Sequence, residues 1–90
     1  MEEKVLYKIE VRGRVQGVGF RYFTVKEARS LGITGLVKNM PDGSVYIEAE
    51  GPKDKLDKFV QWCNNGPGIV RSVQVSVYPA VGYKDFHIEY

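Results

Sequence analysis

Ninety residues with one cysteine and a net charge of +2 leave room for one two-layer core, burying roughly 60–65% of the unfolded surface. The lone cysteine excludes an internal disulfide, the charged start MEEKVLYK is unlike a secretory leader, and no apolar run approaches the ~20 residues of a membrane helix. The expectation is one soluble, cytoplasmic domain over residues 1–90, with no membrane contact, repeat, low-complexity tract or linker.

Val5, Tyr7, Ile9 and Val11 alternate with Lys8, Glu10 and Arg12, the period of a strand with one buried face. A glycine-rich segment follows. Phe20, Thr24, Ala28 and Leu31 then fall on one face of a helix, and Gly32 stands where a left-handed C-terminal cap is wanted. A second strand is expected at about Thr34 to Lys38. Pro41, Asp42 and Gly43 turn it into a third, in which Val45, Ile47 and Ala49 alternate with Tyr46, Glu48 and Glu50. Gly51 and Pro52 open a second helix with Leu56, Phe59, Val60 and Cys63 as its buried stripe, and Asn65 to Gly68 end it. Val73, Val75 and Val77 mark a fourth strand, and Phe86 and Ile88 a short fifth.

The order is βαββαβ with an added strand. It predicts an α+β, ferredoxin-like sandwich: two helices on one face of a mostly antiparallel sheet, the other face largely open to water.

Residues 11–21, VRGRVQGVGFR, hold three glycines, three arginines and no carboxylate, between the first strand and the first helix. Arg12, Arg14, Arg21 and Lys26 make the interval from Glu10 to Glu27 uniformly basic, so the positive field is focused on one small place. Glycines admit close approach of backbone N–H groups, a helix start adds unsatisfied donors, and arginine offers a planar fork to phosphate oxygens. The segment is an anion cradle. In a βαβ unit the first two strands run the same way, so Asn39 emerges on the same sheet edge as this cradle, one inserted strand away. A ligand-sized gap then lies between Asn39 and the glycine loop, within reach of Arg21.

Other readings of single residues are plainer. Asn39 could merely cap the hairpin before Pro41, and Arg21 could be a solvated residue at a helix start. A cation is disfavoured there by ~0.3–1 kcal/mol, which makes more sense if an anion sits between it and the helix. Arg12 and Arg14 read as rim residues, His87 as a surface residue because a catalytic histidine requires a positioned partner, and Cys63 as core. GVGFRY is not a dinucleotide fingerprint, and no GK is followed by Ser or Thr, so nucleotide binding is not expected.

Two motifs carry a family resemblance. The first is Gly13, Arg14, Val15, Gln16, Gly17, Val18, Gly19, Phe20 and Arg21, fitting GxVQGVxFR. The second is Gly35, Leu36, Val37, Lys38 and Asn39, then Gly43, Ser44, Val45 and later Gly51. With both in place over the whole chain, the sequence resembles the acylphosphatases, small βαββαβ enzymes that hydrolyse the carboxyl–phosphate bond. Leu36 departs from the aromatic residue usual at its position, which bears on packing or substrate contact more than on catalysis.

The resemblance implies an acyl phosphate substrate, with the phosphate bound by Arg21 and by backbone N–H groups of Val15, Gln16, Gly17, Val18, Gly19 and Phe20. It implies that Asn39 holds the attacking water, with no metal, no cofactor and no need for more than a monomer. The leaving group is a weakly basic carboxylate, so the work left is positioning water and stabilising phosphoryl charge. The competing expectation is an RNA-binding module of the same plan, because QGVGFRYF resembles its RNP1 signature at Gly17, Gly19, Phe20 and Phe23. That signature belongs on the third strand, where Glu48 and Glu50 would repel a phosphate backbone, so no nucleic-acid partner is expected.

Overall fold

The alternation that starts at Val5 becomes the first strand of a computed structural model that describes residues 3–90. Its elements are β1 (Lys4–Arg14), α1 (Phe20–Ser30), β2 (Thr34–Asn39), β3 (Val45–Pro52), α2 (Lys53–Asn64), β4 (Ile69–Pro79) and β5 (Phe86–Ile88). The strands form one sheet in the order β4-β1-β3-β2-β5. Every neighbouring pair is antiparallel except β2 and β5, which run parallel.

The core lies where the two periodicities meet. Tyr7, Ile9 and Val11 of β1, Val37 of β2, and Val45, Ile47 and Ala49 of β3 point to one face of the sheet. Phe20, Thr24 and Ala28 of α1 and Leu56, Phe59 and Cys63 of α2 close over them. Each large apolar side chain buried there contributes roughly 1.5–3 kcal/mol. Helix α1 ends as its sequence predicts: Leu31 is the C-cap, Gly32 takes a φ of +72°, and the Ile33 N–H reaches back to the Ala28 carbonyl at 2.9 Å.

Three expectations need correction. Gly51 and Pro52 do not open the second helix; they finish β3, pairing with Val5 and Lys4, and Pro52 in extended geometry is the N-cap of α2. Proline at a strand end costs no ladder bond that matters, so it can close one element and start the next. The fourth strand begins earlier, at Ile69, and skips a residue against β1 between Arg12 and Gly13. Being an edge strand with one neighbour, it leaves Val75 and Val77 exposed although both alternate correctly.

The third correction concerns the helix-free face, which is only partly open. The connection from β4 to β5 runs over it, and Glu50, expected to present its charge to water, is 4% exposed. Its carboxylate accepts hydrogen bonds from the backbone N–H groups of Val81 (2.7 Å), Gly82 (2.8 Å) and Tyr83 (3.1 Å). Glu48 beside it accepts from the hydroxyls of Tyr46 and Tyr83. Burial pushes the Glu48 pKa up, but these two hydrogen bonds and the nearby Lys8 and Lys38 outweigh it and hold the group below its ordinary value. The Tyr83 hydroxyl is pushed up to about 12, by burial first and then by its bond to Glu48.

Glu50→Ala would strand three backbone donors under the connection. The expected loss is about 1–3 kcal/mol in urea unfolding, with Glu50→Gln losing less because its amide oxygen still accepts. Wild-type stability in Glu50→Ala would show that the carboxylate is not what fastens the connection.

Candidate active site

β1 and β2 are parallel because each is antiparallel to β3, and the register sets Val11, Val45 and Asn39 in one row across the three strands. Asn39 therefore stands about 10 Å from β1, two ladder spacings of about 4.8 Å each. Beyond Arg14 the chain leaves the sheet and crosses above β3 to reach α1. The crossing is pinned at both ends by buried side chains, Val15 and Phe20, each 1% exposed, with the Phe20 ring packed against Trp62 at a centroid distance of 5.6 Å. Between these pins Gly17 and Gly19 take left-handed φ angles of +75° and +82°, which side-chain-bearing residues adopt only under strain. Gly19 is the N-cap of α1. No side chain caps that helix start and no acidic residue stands in its first turn, so its N–H donors and partial positive charge remain for a ligand.

A cavity of about 150 Å³ lies here, and Val15, Gly17, Gly19, Phe20, Arg21 and Asn39 all line it. Tyr22 and Ile88 complete the wall. Gln16 and Val18, the other two cradle positions, are not in the lining. Ile88 reaches the site because β5 pairs with β2, opposing it to Val37, and because the Arg29 side chain fastens β5 through the Phe86 carbonyl at 3.0 Å.

The arginines of the segment differ in what they face. Arg12 is bonded to Glu10 at 3.0 Å and lies 3.4 Å from Asp42, so its charge is met on the rim. Arg21 is half-buried, and no carboxylate of the described residues lies within ion-pair distance of it. Its guanidinium sits 5.4 Å from the centre of the Tyr90 ring. A cation in the first turn of a helix, unmatched by any described carboxylate and lining a cavity, has its donors free to meet an anion.

Asn39 does not cap the hairpin. Asp42 does: its Oδ1 accepts from the Ser44 N–H at 2.9 Å and the Ser44 hydroxyl at 2.6 Å, and these bonds hold its carboxyl below the usual range. The Oδ1 of Asn39 is instead buried and accepts no hydrogen bond from any described residue. Such an orphaned acceptor costs roughly 1–3 kcal/mol and is kept where something other than stability is served.

The remaining candidates stay outside. Both ring nitrogens of His87 are engaged, by Asp85 at 3.2 Å and Glu89 at 3.1 Å, and it does not line the cavity. The Cys63 thiol is buried and pushed up to about 12 by desolvation and then by Glu27. Leu36 is half-buried on the helix-free face, opposite Glu48 and His87 and away from the cavity. Among the described residues no group of three or more His, Cys, Asp or Glu could hold a metal ion. QGVGFRYF forms the loop and the start of α1, not β3 where an RNP1 signature would lie.

The family model described as Acylphosphatase matches residues 7–88. The chain belongs to the acylphosphatase family. Among acylphosphatases, it is 51% identical over 85 residues to that of Thermotoga maritima, covering 92% of this chain and 94% of the relative. It is 49% identical to that of Archaeoglobus fulgidus over 88 residues, covering 96% and 99%. The crystal structure of the acylphosphatase from Bacillus subtilis superposes with a TM-score of 0.93 at 44% identity, covering 96% of this chain and 99% of that one. The acylphosphatase fold here is thus the expected two-helix, five-strand sandwich, and no helix among the described residues is long and apolar enough to cross a membrane.

Two features of this cavity in the acylphosphatase chain are not legible in its sequence. The wall residues Tyr22 and Ile88 carry no motif, and the parallel pairing of β5 that delivers Ile88 has no local signature. The Gln16 side chain, whose position belongs to the glycine-rich motif, bonds to the β2–β3 hairpin instead of facing the cavity.

Proposed function

We propose that this acylphosphatase hydrolyses acyl phosphates in the cavity between the 15–20 loop and the end of β2. The phosphoryl oxygens lie against the loop N–H groups and the Arg21 guanidinium, and Asn39 Oδ1 accepts a hydrogen bond from the attacking water. The water oxygen forms a bond to phosphorus as the bond from phosphorus to the acyl oxygen breaks. The electron pair leaves with the carboxylate, and the water's proton passes to a phosphoryl oxygen, giving inorganic phosphate. No strong acid is required, because the carboxylate is a weak base. Charge stabilisation by preorganised donors and in-line positioning of water carry the rate. The chain works as a monomer in the cytoplasm, on a small-molecule substrate.

The observation that carries this reading is the unpartnered Asn39 Oδ1 in the same small cavity as the glycine loop and Arg21. Benzoyl phosphate hydrolysis in ¹⁸O-labelled water with EDTA present tests it. Turnover is expected to survive the chelator, and the label is expected in the phosphate. Label in benzoate would mean attack at the carbonyl carbon and would overturn the scheme.

A further inference from the structure

The side chain of Gln16 ties the anion loop to the hairpin that carries Asn39. Its Nε2 donates to the Met40 carbonyl at 2.8 Å and to the Ser44 carbonyl at 2.9 Å, using both amide protons. Both carbonyls belong to the closure of the β2–β3 hairpin: the Ser44 carbonyl accepts from the Met40 N–H at 2.9 Å and the Met40 carbonyl from the Gly43 N–H at 3.1 Å. Met40 follows Asn39 directly.

The link matters because, among the described residues, no other hydrogen bond joins these two parts. β1 and β2 are separated by β3, and the loop has left the sheet, so no ladder bond fixes its distance from Asn39. Arg12, at the end of β1 before the loop, reaches Asp42 of the hairpin, but that pair is exposed and 3.4 Å long, a kind of contact that holds little. We infer that Gln16 is a positioning residue: its amide sets the Asn39 side chain, and with it the water, in line with the phosphate bound by Gln16's own neighbours. The inference rests on the proposed reading of Arg21 and Asn39. Glutamine suits the task, since one amide nitrogen brings two donors to two carbonyls; methionine has similar length and brings none.

Steady-state hydrolysis of benzoyl phosphate is compared for wild type, Gln16→Met, Gln16→Glu, Asn39→Ala and the Gln16→Met/Asn39→Ala double variant. Inorganic phosphate serves as competitive inhibitor. Gln16→Met is expected to lose ~10–100-fold in kcat with KM and the phosphate inhibition constant within about threefold, because a misplacement of about 1 Å can cost that much rate without disturbing binding. In the Asn39→Ala background the same change should cost less than about threefold, because the group it positions is gone.

Gln16→Glu adds a pH signature. Its carboxylate would face two carbonyl oxygens and be raised in pKa; protonated, it regains one O–H donor. Its kcat relative to wild type should therefore rise as pH falls, and this holds as a test even if Gln16→Met folds poorly. A wild-type kcat in Gln16→Met, a parallel loss of phosphate affinity, or a full additional loss in the double variant would each overturn the inference. Asn39→Ala inactive beside a fully active Gln16→Met would overturn it while leaving the proposed function standing. An inactive wild type would remove both.

Discussion

Arg21→Gln is expected to lower kcat/KM for benzoyl phosphate by at least about 10²-fold, the scale for losing one preorganised donor to a developing charge. Tenfold in rate corresponds to about 1.4 kcal/mol, so the guanidinium is being asked for roughly 3 kcal/mol or more of transition-state stabilisation. The structure makes this demand reasonable: the group is half-buried and unmatched by any described carboxylate, so its field is not spent elsewhere. Inorganic phosphate should also inhibit the variant less. Stability should move the other way. A cation in the first turn of a helix is unfavourable by ~0.3–1 kcal/mol, so urea unfolding of Arg21→Gln should show equal or slightly raised stability. Full activity in this variant would sink the proposed mechanism.

Asn39→Ala separates the two halves of the site. Its kcat is expected to fall about 10²- to 10³-fold, with KM and inhibition by phosphate nearly unchanged, because its side chain addresses water and not the phosphoryl group. Stability should not fall with it. The Asn39 Oδ1 has no partner to lose among the described residues, and truncation removes a buried unsatisfied acceptor. A structural asparagine would give the reverse pattern, a destabilised protein with near-normal kcat. Kinetics and urea unfolding on the same preparation distinguish the two.

Much of the fold is legible in the amino-acid sequence because it rests on local periodicity. Alternation through Ile9 and Val11, the helical face of Phe20, Thr24 and Ala28, and the cap at Gly32 depend on neighbours within a few residues. The meeting of Asn39 with the glycine loop needs one further rule, that a βαβ unit sends both strands the same way. What sequence does not disclose depends on partners far off in the chain. Glu50 looks solvated in sequence and is buried because the donors to its carboxylate come from residues 81–83. Gln16 reads as a cradle residue because its bonds to Met40 and Ser44 belong to the assembled tertiary structure. β4 shows the limit of alternation itself: the pattern identifies a strand but does not say whether a layer covers it.

β3 contributes no side chain to the cavity, yet Val45 is paired to both Val11 and Asn39. On the proposed reading, the water is held at the end of β2 and the phosphate by the loop and helix start that follow β1, and the strand between β1 and β2 sets the coarse span that the loop has to bridge. That span is fixed by backbone hydrogen bonding and is nearly the same for any side chains on β3. The ladder thereby supplies a span that tolerates almost any side chain, and the fine adjustment across it is left to one amide, that of Gln16.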